Sequence, residues 1–202
     1  MTAHLLLTGA GFTYNWGGWL AKELEGDLLG RLASSPALQR LVQNAPNFEE
    51  ALDTGPVFSA DGARLYYRAM AVPGYESDWL RIKERNLATG ATREIAPGWD
   101  RSPESMTLSA DGKTLYCNAG DFGQKPLFAV TIADGGIARL TAAGTVSAFS
   151  SGKAGIVYAQ NTVNSPDQLY NLNIGGGEPR ALTTHNQARL GEIRFGEVEQ
   201  FH

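Results

Sequence analysis

The sequence predicts a mainly β protein: a partial β-propeller of about three four-stranded blades over residues 54–202, preceded by a short strand and helical segment over residues 1–53. Three observations carry this. One hairpin-like signature recurs along the chain, a second follows each copy of the first, and Asp-Gly or Gly-Gly pairs separate the β-rich runs.

The first signature is Phe58-Ser59-Ala60-Asp61-Gly62-Ala63-Arg64-Leu65-Tyr66-Tyr67. It returns as Leu108-Ser109-Ala110-Asp111-Gly112-Lys113-Thr114-Leu115-Tyr116-Cys117 and, more loosely, as Phe149-Ser150-Ser151-Gly152-Lys153 followed by Gly155-Ile156-Val157-Tyr158. Ser59 to Ser109 is 50 positions and Ser109 to Ser150 is 41. The second signature runs Arg81 to Gly90 with Arg93-Glu94-Ile95. It returns as Leu127 to Gly135 with Arg139-Leu140-Thr141, and as Leu169 to Gly177 with Arg180-Ala181-Leu182-Thr183.

An apolar run, an Asp-Gly or Gly-Gly turn and a second β-rich run make a hairpin, because glycine accepts the positive φ of a tight turn. Two hairpins make a four-stranded sheet, and sheets recurring every 40–50 residues mark propeller blades. Asp61, Asp111 and Asp134 are therefore expected as turn residues, not catalytic acids. Tyr66, Tyr67, Tyr116, Phe128, Tyr158 and Tyr170 recur at strand positions and are expected in blade packing.

With 43% hydrophobic and 19% charged residues, the chain can bury a core. A net charge of −4 supplies no basic footprint, so no nucleic-acid partner is expected. Cys117 is the single cysteine, which excludes an internal disulfide, and its strand position predicts core packing. No stretch approaches a membrane span, and no basic region precedes Leu5-Leu6-Leu7. No membrane association and a cytoplasmic location are the expectations.

In residues 1–53, Leu5-Leu6-Leu7-Thr8 reads as a strand, Gly9-Ala10-Gly11 as a turn, and Trp19 to Leu29 as a helix. Trp16 and Trp19, where that helix begins, are expected in its packing. A glycine turn of this kind lets a phosphate reach backbone N–H groups at a helix N-terminus, although Tyr14 stands where the third glycine of a dinucleotide fingerprint belongs. The run Gly9 to Gly18, with Asn47-Phe48-Glu49-Glu50, resembles the opening of a bacterial SIR2-like domain. That resemblance implies NAD beside Gly9, Gly11, Thr13 and Asn15. The family's histidine-bearing segment has no counterpart here, so the site is expected to be vestigial and NAD chemistry is not expected.

Tyr75-Glu76-Ser77-Asp78, Glu94 to Ser102, and Leu182-Thr183-Thr184-His185-Asn186 resemble the propeller of prolyl-oligopeptidase-family serine peptidases, of the dipeptidyl and acylaminoacyl branch. The resemblance implies blades that accompany an α/β-hydrolase domain. The catalytic elbow of such a domain is Gly-x-Ser-x-Gly, and that pentad does not occur in these residues. The nearest serines, in Ser150-Ser151-Gly152, are expected in a hairpin turn.

Two function classes follow. The first is a non-catalytic propeller-type module that binds a peptide, a small molecule or its own copy. About three blades are fewer than the four to eight that usually close a propeller, so a homodimer completing the ring is the expected partner, with residues 1–53 covering one open face as the alternative. The second is a hydrolase of small esters or lactones in which acidic loop residues hold Ca²⁺. Its candidates are Asp100, Glu104 and His185 for catalysis, His185 being taken with Glu197 or Glu199, and Asp100 and Asp121 for the metal. Trp99-Asp100-Arg101-Ser102 places an aromatic, an acid and a cation side by side, and a blade-to-blade salt bridge is the structural alternative there.

Overall fold

The computed structural model describes residues 56–72, 75 and 77–199. The strand, glycine turn and helix expected in residues 1–53, with Gly9, Gly11, Thr13 and Asn15, lie outside the described residues. Three four-stranded antiparallel sheets follow one another, each a meander whose strand order is its chain order. The first comprises β1 (Val57–Phe58), β2 (Arg64–Ala69), β3 (Arg81–Asn86) and β4 (Thr92–Ile95). The second comprises β5 (Pro103–Leu108), β6 (Thr114–Ala119), β7 (Leu127–Thr131) and β8 (Ile137–Arg139). The third comprises β9 (Thr145–Ser151), β10 (Ile156–Thr162), β11 (Ser165–Leu172) and β12 (Arg180–Ala181). The chain divides between Ile95 and Ala96 into two compact units, so the first sheet belongs to one and the other two sheets to the second.

The repeated turns form by the chemistry their residues carry. The Ser59 hydroxyl donates to Asp61 Oδ1 at 2.6 Å, the same carboxylate accepts the Ala63 N–H at 3.0 Å, and Gly62 sits at φ 66°. Ser109, Asp111, Lys113 and Gly112 repeat this at 2.6 Å, 3.1 Å and φ 72°. Asp134 does likewise for the Gly136 N–H at 2.9 Å. These aspartates are spent on their own turns. The hydroxyl donated by Ser59 or Ser109 is the largest influence holding the Asp61 and Asp111 carboxyls below the usual carboxylate range.

The third copy departs from the pattern. Ser150 and Ser151 remain inside β9, and the turn follows at Gly152, whose N–H donates to the Gly155 carbonyl at 2.9 Å. Without an Asp, the strand simply runs two residues further before it reverses. A short helix, α1 (Gln187–Gly191), comes after the third sheet; nothing in the repeat foretells it. No described helix is long and apolar enough to cross a membrane.

In the first unit, β2 buries the adjacent Leu65 and Tyr66, one on each face of the sheet, and Ile82 and Ile95 pair across β3 and β4. Glu84 is buried there between Arg64 and Arg93, a carboxylate made tolerable by two guanidinium partners. In the second unit, Tyr116 and Leu127 of the middle sheet pack against Val146, Ile156, Tyr158 and Leu172 of the third. Complete burial of one such aliphatic side chain stabilises by about 1.5–3 kcal/mol. The Tyr158 and Tyr170 rings stack at 5.4 Å, and burial raises the Tyr158 phenol above its ordinary pKa. Cys117 is fully buried on β6.

Polar links join the same two sheets. Asn118 is buried, accepts the Ser105 N–H at 3.0 Å and donates to the Val146 carbonyl at 3.0 Å. The Val146 N–H donates to the Lys125 carbonyl at 2.8 Å, and the Ser151 hydroxyl to the Leu108 carbonyl at 3.2 Å.

Candidate binding surface at one end of the second sheet

The antiparallel register decides which loops can meet. Pro103 pairs with Ala119, Asn118 with Leu127, and Phe128 with Arg139, so one end of the sheet gathers the start of β5, the end of β6, the start of β7 and the end of β8. The connections on either side of those strands therefore converge there. The Asp111 turn closes the opposite end.

Between β6 and β7 the chain reverses at Asp121-Phe122-Gly123-Gln124. The Asp121 N–H donates to the Gln124 carbonyl at 2.8 Å and the Gln124 N–H to the Asp121 carbonyl at 3.1 Å. Phe122 and Gly123 have φ of 47° and 74°, the left-handed pair that a two-residue hairpin turn demands. Glycine takes this conformation freely, whereas a phenylalanine in it costs about 1–3 kcal/mol. The Phe122 ring is 64% exposed, and the Arg101 guanidinium lies 5.0 Å from its centre.

Asp121 is the hub. One of its oxygens, Oδ1, accepts from Arg101 Nε at 3.0 Å and lies 2.9 Å from Arg101 Nη2 in an ion pair, and Oδ2 accepts from Arg139 Nη1 at 2.8 Å. Arg139 also donates to the Gln124 side-chain oxygen at 3.1 Å and to the carbonyls of Thr141 and Ala142. Asp100 pairs with Arg101 Nη1 at 2.6 Å, its own side chain largely in solvent. Hydrogen bonding to Asp121 is the main reason the Arg101 guanidinium is held above its ordinary pKa. Below the clamp, the Trp99 and Phe128 rings meet edge to face at 5.1 Å.

The candidate acids are thus dispersed onto cations. Asp100 and Asp121 converge, yet on Arg101, whose guanidinium occupies the position between them that a bound cation would need. Glu104 pairs with Lys125 instead. The exposed His185 is tied through its backbone: its N–H donates to Gln168 Oε1 at 3.0 Å and its carbonyl accepts from Gln168 Nε2 at 2.7 Å. Glu197 and Glu199 stand exposed on chain that is neither helix nor strand. Among the described residues no three His, Cys, Asp or Glu side chains gather to hold a metal ion. A calcium site needs six to eight oxygens, and carboxylates already neutralised by arginine and lysine are poor suppliers of them.

Sequence reasoning singled out Trp99 to Ser102 and missed Arg139, Phe122 and Gln124. The signal available was the Asp-Phe-Gly insertion between two strand patterns. In the first unit the corresponding β2–β3 connection also presents an aromatic ring against an arginine, Trp79 with Arg81 at 4.8 Å, and Asp78 braces that loop by accepting the Ala71 N–H at 2.6 Å and the Val72 N–H at 3.1 Å. A rigid loop that offers an aromatic face beside guanidinium N–H groups can receive an apolar or aromatic side chain and a neighbouring carbonyl or carboxylate.

No protein-family model matches the chain. Dipeptidyl-peptidase 5 of Arthroderma otae is 32% identical over 165 residues, 78% of this chain and 22% of that protein. Dipeptidyl-peptidase 5 of Porphyromonas gingivalis is 30% identical over 142 residues, 70% of this chain and 21% of that protein. The chain therefore spans about a fifth of the length of these relatives. Among solved structures, the acylaminoacyl peptidase of Pyrococcus horikoshii aligns with a TM-score of 0.54 at 20% identity, over 66% of this chain and 20% of that one. The propeller domain of the Trilobed protease from Pyrococcus furiosus aligns with a TM-score of 0.50 at 19% identity, over 62% of this chain and 36% of that one. The three four-stranded sheets thus have the fold of propeller blades and resemble those of these peptidase structures, as the repeat indicated.

Proposed function

We propose that this chain acts as a non-catalytic, propeller-type binding and self-association module of peptidase-propeller descent. The observation that carries the reading is the use of its conspicuous acids: Asp61, Asp111 and Asp134 hold turns, and Asp100, Asp121 and Glu104 hold arginine or lysine, which leaves none of these six free to polarise a carbonyl or activate water. The absence of a Gly-x-Ser-x-Gly pentad from these residues supports it. The ligand class is an extended peptide, received by the loop end of the second sheet, with an apolar side chain against Phe122.

The test is titration of a fluorescent peptide library into the chain, together with dipeptidyl-p-nitroanilide and p-nitrophenyl ester assays with and without EDTA. Saturable peptide binding that weakens on Phe122→Ala, without turnover, is the expected result. Turnover that EDTA abolishes would overturn the reading in favour of a metal-dependent hydrolase.

A further inference from the structure

We propose that Trp79, just before β3, and Arg81, its first residue, form a binding site for a peptide carboxylate. That the ligand is a peptide rests on the reading above; the site, on a different sheet, and the charge it takes go beyond it. The blade itself asks for no cation at this position. Arg68 pairs with Ile82 as Asn118 pairs with Leu127, so Arg81 stands where the second sheet has Pro126. Ala159 pairs likewise with Leu169, which puts Gln168 at the same place in the third sheet.

Arg81 also differs from the other paired arginines. Arg64, Arg93, Arg101 and Arg139 each donate a hydrogen bond to a carboxylate. The carboxylate oxygens nearest Arg81 lie farther off: Asp78 Oδ2 is 3.5 Å from Nη1, and Glu94 Oε1 is 3.8 Å from Nε, both beyond a normal hydrogen bond. Nη1 is buried and has no hydrogen-bond partner. Both carboxylates are held elsewhere. Asp78 Oδ2 accepts the Ala71 N–H at 2.6 Å and the Val72 N–H at 3.1 Å, and Glu94 Oε2 accepts from Lys83 Nζ at 2.8 Å. What positions the guanidinium is the Trp79 ring, whose centre lies 4.8 Å away.

A guanidinium carries five N–H donors in a planar fork, and a buried donor left unbonded is costly. Here the Arg81 side chain is 20% exposed and Trp79 is 41% exposed, so the pair meets solvent with its donors open. The fork matches a carboxylate, and the indole beside it takes an apolar side chain next to that carboxylate. A peptide supplies both, at a C-terminal apolar residue or at an Asp or Glu beside one. Arg81 and Lys83 balance Asp78 and Glu94 in charge, so no long-range field draws anions in and affinity rests on the contact itself.

Calorimetric titration with three peptides tests the site: acetyl-Ala-Ala-Leu with a free C-terminus, acetyl-Ala-Glu-Leu amide and the neutral acetyl-Ala-Ala-Leu amide. One of the two carboxylate peptides is expected to bind at least about tenfold more tightly than the neutral one, and which of them does so identifies a terminal or a side-chain carboxylate. Arg81→Gln is expected to abolish that difference. Glu94→Gln, which removes a competing carboxylate, is expected to enlarge it about threefold, a gain that a merely structural Arg81 would not give. Should Arg81→Gln fail to fold by circular dichroism, Glu94→Gln decides alone, and no enlargement overturns the site. A carboxylate preference that survives a folded Arg81→Gln overturns it as well. Equal binding of all three peptides, weakened by Phe122→Ala, overturns this site alone, whereas no binding of any of them overturns the peptide reading with it.

Discussion

The side chain of Asn118, buried on β6, donates to the carbonyl of Val146 on β9, so a single amide spans two sheets while its oxygen holds the Ser105 N–H. Both ends of the amide are used, and no water is needed. Asn118→Ala removes a donor and an acceptor together and leaves the Val146 carbonyl and the Ser105 N–H without them. A loss of about 1–3 kcal/mol is expected by urea unfolding. Asn118→Asp is expected to be worse, since its carboxylate would face the Val146 carbonyl.

Asp121 predicts a different pattern. Asp121→Ala releases Arg101 and Arg139 together, and a destabilisation of about 2 kcal/mol is expected. Asp121→Asn, which keeps one acceptor oxygen, is expected to lose about half of that. Thermal melts at low and high salt check the assignment: the gap between wild type and variant should narrow only slightly with salt, because the carboxylate is 12% exposed.

The turn aspartates set an acid limb. Their folded-state pKa values lie below the unfolded value, so their stabilisation is complete above the unfolded pKa and is lost as pH falls through the folded one. Acid unfolding is therefore expected to draw on Asp61 and Asp111 below about pH 4. The double variant Asp61→Asn, Asp111→Asn should show a flatter dependence of unfolding midpoint on pH across that window. An unchanged slope by circular dichroism would remove these two turns from the account.

Gly135 and Gly112 share φ of 72° yet differ in surroundings. A Cβ on Gly135 would sit 2.8 Å from the Ala96 nitrogen, whereas one on Gly112 meets nothing within 4 Å. Gly112→Ala is expected to cost about 1 kcal/mol, the conformational penalty alone. Gly135→Ala adds a backbone collision and is expected to cost at least about 2 kcal/mol. Denaturant midpoints of the two variants, measured side by side, test the difference.

The meander and its turns were legible because their causes are local. Ser59-x-Asp61-Gly62 and Ser109-x-Asp111-Gly112 each contain the hydroxyl, the carboxylate and the glycine that the turn consumes, so the string of residues is nearly the structure. The third copy has only Ser150-Ser151-Gly152, and its turn slid to Gly152–Gly155. The clamp was half legible. Asp100, Arg101 and Asp121 stood out by type, but their pairing depends on register between strands far apart in sequence, and Arg139 looked like one more strand residue. Glu104 and His185 were indistinguishable from ligands until Lys125 and Gln168 were found beside them. Solvent exposure of Val157 and Leu169 could not be read at all, since burial of a repeat position is decided by its neighbour.

Because every sheet keeps its strands in chain order, each ladder can close by zippering short hairpins, with little loop entropy spent before the first bonds form. The seam between the second and third sheets, by contrast, joins residues far apart in sequence: Tyr116 and Leu127 pack on Val146, Ile156, Tyr158 and Leu172, and Val146 bonds to Lys125 and Asn118. Folding of the second unit should accordingly proceed sheet by sheet, with hydrogen exchange from β10 amides arrested before the seam between the sheets becomes protected.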